Sequence, residues 1–199
     1  ETGVTYSYRV RTKLGAVNSA WSNETSVTTF PSPINLKAEA QSDVLIQVKW
    51  IDNNQEELGF LLERAQAGTG NWTLLDSLAV NSTTHNDNGL DEGESYDYRI
   101  KAYTANGVSD PSTTATATTW PHAPANLAAV NDPIVDLQIN ISWSDLSSVE
   151  TGYELQRKDG NDVNFNTVAT LDPNISEYQD THVRVSYDYT YRVRTKFNN

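Results

Sequence analysis

The run YSYRVRTK (Tyr6–Lys13) returns as YDYRIKAY (Tyr96–Tyr103) and again as YTYRVRTK (Tyr189–Lys196). The second copy starts 90 residues after the first, and the third 93 after the second. Recurrence at a nearly fixed period marks a chain assembled from copies of one small module. Within each copy, tyrosine or aliphatic residues alternate with Arg and Lys, the period of a strand with one inward and one outward face. The chain of 199 residues is therefore expected to hold about two and a quarter modules.

The rest of the second module reads as short strands separated by turn signals. LIQVKW (Leu45–Trp50) and FLLER (Phe60–Arg64) are two of them. A Gly-rich turn at Gly68–Gly70 leads into WTLLDSL (Trp72–Leu78). SYDYRIKAY and TTATATT (Thr113–Thr119) close the unit. The third module repeats it at an offset of 93: Trp143 matches Trp50, Gly152 matches Gly59, Arg157 matches Arg64, Phe165 matches Trp72 and Leu171 matches Leu78. No stretch has a helical period.

Junctions recur as well. TTFPSPINL (Thr28–Leu36) and TTWPHAPANL (Thr118–Leu127) each place two prolines within four residues, which stiffens and extends a linker. These junctions divide the chain into residues 1–30, the last two strands of a truncated module; 31–120, a complete module; and 121–199, a module lacking its last strand. Glu1-Thr2-Gly3 aligns with the turn Asp91-Glu92-Gly93, and Asn199 aligns with Ala16. Both ends are thus expected to fall inside modules of a longer chain.

The spaced pattern from ISWSDLSSVETGYELQR (Ile141–Arg157), with its sister VKWIDNNQEELGFLLER (Val48–Arg64), through Y-x-Y-R-V resembles the fibronectin type III domain, in the variant common in bacterial and archaeal secreted and surface proteins. The resemblance implies an all-β fold of tandem immunoglobulin-like antiparallel sandwiches. It also implies that Tyr96, with counterparts Tyr6 and Tyr189, is a corner tyrosine tying a loop to its strand. No proline follows Trp50 or Trp143 closely, unlike animal versions, and RGD is absent, so integrin binding is not carried over. Trp50 and Trp143 are expected core anchors, and Tyr96, Tyr98, Ile100 and Ala102 should share the inward face.

Composition narrows the function classes. The formal charge is −12, with −8 on residues 31–120, −5 on 121–199 and +1 on 1–30. That field disfavours nucleic acid and anionic membranes as partners. There is no Cys and no Met, so disulfides, thiolate chemistry and Cys-based metal sites are absent. No apolar run is long enough to span a membrane. His85, His122 and His182 lack metal-ligand spacing, and no catalytic motif is present. Neither enzymatic activity nor a cofactor is expected.

Four features could carry binding or modification. Eight of the fourteen Lys and Arg residues form a basic stripe: Arg9, Arg11, Lys13, Arg99, Lys101, Arg192, Arg194 and Lys196. It could grip a polyanion, although cross-strand pairing with acids such as Glu63 and Glu154 is the favoured reading in so acidic a chain. Trp72, Phe165, Trp21, Phe30 and Trp120 could stack sugars, against the favoured reading that they cap sheets and wedge joints. Five N-x-Ser/Thr sequons occur, at Asn23, Asn71, Asn81, Asn140 and Asn174, with Asn81 and Asn174 at equivalent repeat positions. Acidic clusters at Asp52–Glu57, Asp87–Glu94 and Asp132–Asp136 could attract calcium but fit solvated loops better.

The leading expectation is a non-catalytic structural array of an extracellular or cell-surface protein, a stiff spacer or part of a filament. Its partners would be neighbouring modules or copies of itself. The alternatives are an adhesion module for glycan or a surface protein, and the spacer of a secreted carbohydrate-active enzyme.

Overall fold

The computed structural model describes residues 4–53, 55–160 and 162–197. The expected turn at Glu1-Thr2-Gly3, Asn54 within the first acidic cluster, and Asn199 lie outside the described residues. Eighteen strands and no helix occur among the described residues, so no helix is long and apolar enough to cross a membrane.

The first segment contains β1 (Thr5–Tyr8), β2 (Lys13–Leu14), β3 (Val17–Asn18) and β4 (Thr25–Thr28). β1 pairs antiparallel with β4, and β2 with β3. The copy of the repeat that opens the chain is therefore interrupted after Tyr8, and Arg9 and Arg11 lie between strands.

Residues 31–118 supply β5 (Ile34–Ala40), β6 (Leu45–Ile51), β7 (Gly59–Gln66), β8 (Thr73–Ala79), β9 (Thr84–Asn88), β10 (Ser95–Thr104), β11 (Gly107–Val108) and β12 (Ala115–Thr118). One sheet has the order β5-β6-β9. The other runs β11-β10-β7-β8, with β12 also on β10. Tyr98, Ile100 and Ala102 are fully buried, and Tyr96 is half-buried on the same face. Trp50 meets Phe60 edge-on at 5.8 Å.

The remainder holds β13 (Ala125–Asn131), β14 (Ile139–Ser144), β15 (Gly152–Asp159), β16 (Asn166–Leu171), β17 (Glu177–Asp180) and β18 (Tyr189–Lys196). They form the sheets β13-β14-β17 and β16-β15-β18. Ile141, Trp143, Tyr153 and Leu155 are its buried core, flanked by Tyr191 and Val193. Trp143 and Tyr153 pack at 5.6 Å. At roughly 25 cal/mol per Å², an aromatic side chain burying ~150–250 Å² contributes about 4–6 kcal/mol.

By contact the chain divides into two compact units: residues 1–39, 47–86 and 95–117, and residues 40–46, 87–94 and 118–199.

Two local devices recur and set the strand ends. Gly59 and Gly152 open β7 and β15 with φ of 154° and 139°. A Cβ there would collide with the carbonyl oxygens of Leu78 and Leu171, so only glycine admits the close pairing with β8 and β16. The second device is a serine pair spaced by three. Ser109 and Ser112 each bond β10 twice: their amides donate to Ala102 and Ile100 carbonyls, and their hydroxyls accept from the amides of the same residues. Ser19 and Ser22 do the same with Thr12 and Val10.

The sheets of the third sandwich are also tied through polar groups. Asp180 on β17 is 1% exposed. Its Oδ2 accepts from Arg157 Nη1 at 2.6 Å and from the Tyr191 hydroxyl at 2.9 Å. His182 N–H donates to its Oδ1 at 3.0 Å. Arg157 also binds Asp159 and the His182 carbonyl. Burial works against the Asp180 charge. The Arg157 guanidinium, the His182 amide and the Tyr191 hydroxyl outweigh it and hold the carboxyl below its ordinary range. Tyr189 stands at the corner position, its hydroxyl accepting from the Arg184 amide at 2.8 Å.

Because the folded pKa of Asp180 is depressed, its stabilisation is complete above the ordinary carboxylate value and is lost as pH falls through the folded value. Asp180→Asn removes one partner of a buried pair and should destabilise the third sandwich by about 3–5 kcal/mol. Urea unfolding followed through the amide resonances of β14 and β15 measures this. A loss below about 1 kcal/mol, the scale of an exposed pair, would rule out the tie as a determinant of stability.

Candidate interaction surface

The outward face of the recurrent strand is built from Arg and Lys, and six of the eight stripe residues meet a partner in the structure. Glu63 on β7, directly across from Arg99 and diagonal to Lys101, is reached by both at 2.5 and 2.8 Å. In the third sandwich Arg194 pairs with Glu154, its cross-strand partner on β15, and Arg192 Nε donates to Gln156 Oε1 at 2.8 Å. Arg9 lies 3.5 Å from Glu24.

The aromatics belong to this same surface. Arg99 lies over the ring of Trp72 at 4.4 Å, and Arg192 over Phe165 at 4.2 Å. Lys158 approaches Phe165 at 5.7 Å. Arg9 and Arg11 stand over Trp21 at 4.3 and 4.4 Å. Stacking of this kind is worth about 0.5–1 kcal/mol at exposed sites. The sugar-stacking candidates Trp72, Phe165 and Trp21 thus each carry a cation over the ring, with Trp21 still 45% exposed. Trp120 differs: it is 54% exposed and, with Pro121, Thr195 and Phe197, lines a cleft of about 330 Å³.

Glu154 is the best-supplied carboxylate of the face. It accepts from the Thr167 hydroxyl at 2.5 Å, from Gln156 at 2.9 Å and from Arg194. The Thr167 hydroxyl contributes most, followed by Gln156 and Arg194, and together they pull the carboxyl down to about 2. The Arg194 side chain remains 72% exposed and Glu154 15%, so one end of the pair is open to solvent.

The other acidic clusters are spent on loops. Glu92 accepts from the His122 amide at 2.6 Å, the Ser148 amide at 2.7 Å, and the Ser147 and Ser148 hydroxyls at 3.0 and 2.9 Å. Burial opposes its charge, but those donors hold it below the ordinary range. Asp43 meets His122 Nδ1 at 2.5 Å. Asp132 caps its own loop through the amides of Ile134 and Val135. Among the described residues no group of three or more His, Cys, Asp or Glu side chains is placed to hold a metal ion.

Of the sequon asparagines, Asn23, Asn71, Asn81 and Asn174 are exposed. Asn140 is half-buried near the start of β14, its amide donating to Asp132 and accepting from Gln138. The Ser pairs, the Glu92 cluster and the Asp180 tie were not read from sequence. The serines do carry a signal, since Ser19-x-x-Ser22 recurs as Ser109-x-x-Ser112.

A sequence model of the fibronectin type III domain matches residues 31–118. A stretch of 85 residues is 28% identical to human Myomesin-2, spanning 41% of this chain and 6% of that protein. Among solved structures, a two-domain fibronectin type III segment of chicken tenascin superposes with a TM-score of 0.56 at 18% identity, covering 84% of this chain and 93% of the segment. The FN1-FN3 domains of chicken CNTN1 align over 99% of this chain and 71% of theirs, at 15% identity and a TM-score of 0.41.

A carboxyl held near 2 keeps its pairing in acid. Because the folded value lies below the ordinary 4.5, any stabilisation from Glu154 is complete above 4.5 and fades as pH falls toward 2. A carbon-detected NMR titration should place the Glu154 midpoint near 2. Thr167→Val should raise it more than Arg194→Ala does. An unshifted midpoint would show that the network does not form in solution.

Proposed function

Given that residues 31–118 are a fibronectin type III domain and that the chain carries this fold in tandem, we propose that it is a non-catalytic structural array of an extracellular or cell-surface protein. The modules are taken as residues 1–30, 31–120 and 121–199. They serve as a stiff spacer or as a repeating element of a filament, with neighbouring modules or copies of the same chain as partners. The motif ISWSDLSSVETGYELQR (Ile141–Arg157) supports a module of the bacterial or archaeal surface type.

The observation that carries this reading is the fate of the chemically capable side chains. Arg99, Lys101, Arg157 and Arg194 are paired within the fold, and Glu92, Asp132 and Asp180 fix loops and sheets. Polar groups consumed in this way stabilise a module and leave little with which to do chemistry. The proline-bracketed junctions at Pro31–Pro33 and Pro121–Pro124 add linker stiffness.

A second reading, an adhesion module for acidic glycan, is favoured by one observation: Arg194 is 72% exposed beside Arg192, which lies over Phe165. Retention of the chain on an acidic polysaccharide at low salt, lost in Arg192→Ala/Arg194→Ala, would favour it over the spacer reading.

Pulling the chain by its termini in a force microscope tests the leading reading. A spacer should give discrete unfolding peaks, each complete sandwich of about 90 residues releasing about 300 Å of contour at ~3.4 Å per residue. Extension at low force without peaks would exclude a load-bearing or stiff array.

A further inference from the structure

We infer that Asn81 and Asn174 are N-glycan acceptors, one per sandwich, displayed from the same turn. The inference rests on the reading of an exported chain and adds to it a modification with a repeat of its own.

The two turns are built alike. Asn81 and Asn174 occupy the left-handed region at φ of 60° and 61°. Each amide is held by a glutamate from the strand entry opposite: Glu57 Oε1 accepts from Asn81 N–H at 3.3 Å, and Glu150 Oε1 accepts from Asn174 N–H at 3.2 Å. The backbone is thereby pinned from the protein side while both Asn residues are exposed. A bulky, hydrated oligosaccharide requires that placement, because the modified nitrogen must stay in solvent once the chain is folded.

Turn geometry accounts for Asn at these positions, since its side chain tolerates the left-handed region. It does not account for the hydroxyl two residues later. Thr83 and Ser176 serve the fold through their carbonyls, which accept from Trp50 and Trp143 amides at 3.1 and 3.0 Å. A carbonyl contact places no demand on the side chain, yet both positions complete a sequon.

Two other sequons carry residues with a different explanation. In the sequon at Asn71, the Thr73 hydroxyl donates to the Arg64 carbonyl at 3.1 Å. Asn140 sits in β14 between paired strands, opposite Val130 and Gln179, and its amide nitrogen donates to Asp132 at 2.8 Å. Glycosylation of Asn140 would take that donor out of the loop cap that Asp132 builds.

The transfer requires a lipid-pyrophosphate-linked oligosaccharide and its transferase. The Asn Nδ2 forms a bond to the sugar C1, the C1–oxygen bond to the pyrophosphate breaks, the lipid pyrophosphate leaves with the electron pair, and the amide loses one proton.

The whole chain, secreted from eukaryotic cells behind an added leader, is treated with peptide N-glycanase in ¹⁸O-water and mapped by mass spectrometry. Labelled Asp is expected at positions 81 and 174, with Asn140 unlabelled. Thr83→Ala and Ser176→Ala should each remove one label without changing the circular dichroism spectrum, because they leave the turn asparagines in place. Absence of label at Asn81 or Asn174 in the folded, secreted chain would overturn the inference, as would label at Asn140 equal to theirs. The added leader supplies export, so the result does not depend on where the natural chain resides.

Discussion

The third sandwich hangs on one buried carboxylate. Asp180 reaches from the short polar strand β17 to Arg157 on β15 and Tyr191 on β18, joining the two sheets by charge-assisted bonds rather than by packing alone. The apolar contacts of Trp143 and Tyr153 would tolerate small slips between the sheets. A buried ion pair would not, because misalignment strands a charge in the interior. Arg64, Asp87 and Tyr98 stand at the corresponding positions of the second sandwich, with Asp87 and Tyr98 buried. The same residue types thus recur at an offset of 93, as do the two glycines and the Glu–Asn turns.

Much of the fold was legible because alternation is a local property. Leu45–Ile51, Gly59–Gln66 and Ser95–Thr104 are strands in the structure close to where their apolar residues fall. The strand Thr84–Asn88 carries little signal in sequence, since THNDN has no apolar face and its one buried member is Asp87. The break after Tyr8 was also missed. Its near-copies Ser95–Thr104 and Tyr189–Lys196 run unbroken, so the sequence of the strand itself gives no warning.

The surface was legible in its parts and not in its assembly. The basic stripe and the aromatic platform look like separate features along the chain, because Trp72 lies 27 residues before Arg99 and Phe165 the same distance before Arg192. Antiparallel pairing of β7 with β8 and β10, and of β15 with β16 and β18, brings them together. The pairing of Lys101 with Glu63 and of Arg194 with Glu154 could be anticipated from repeat position. The use of Glu92 could not, since its donors lie 30 and 56 residues away in loops without periodicity.

The serine pairs also bear on how crowded modules stay soluble. Domains of one fold held in one chain are at risk of lending strands to one another, because each offers the next a matching edge. Between β11 and β12 the chain advances along β10 in steps of three, with the Ser109 and Ser112 hydroxyls standing in for main-chain acceptors. Pro111, within that stretch, has no amide hydrogen to offer a visiting strand. A foreign strand, which needs partners every second residue, finds this border out of step, so the hydroxyls that secure this edge of the second sandwich also give a neighbouring strand little to join.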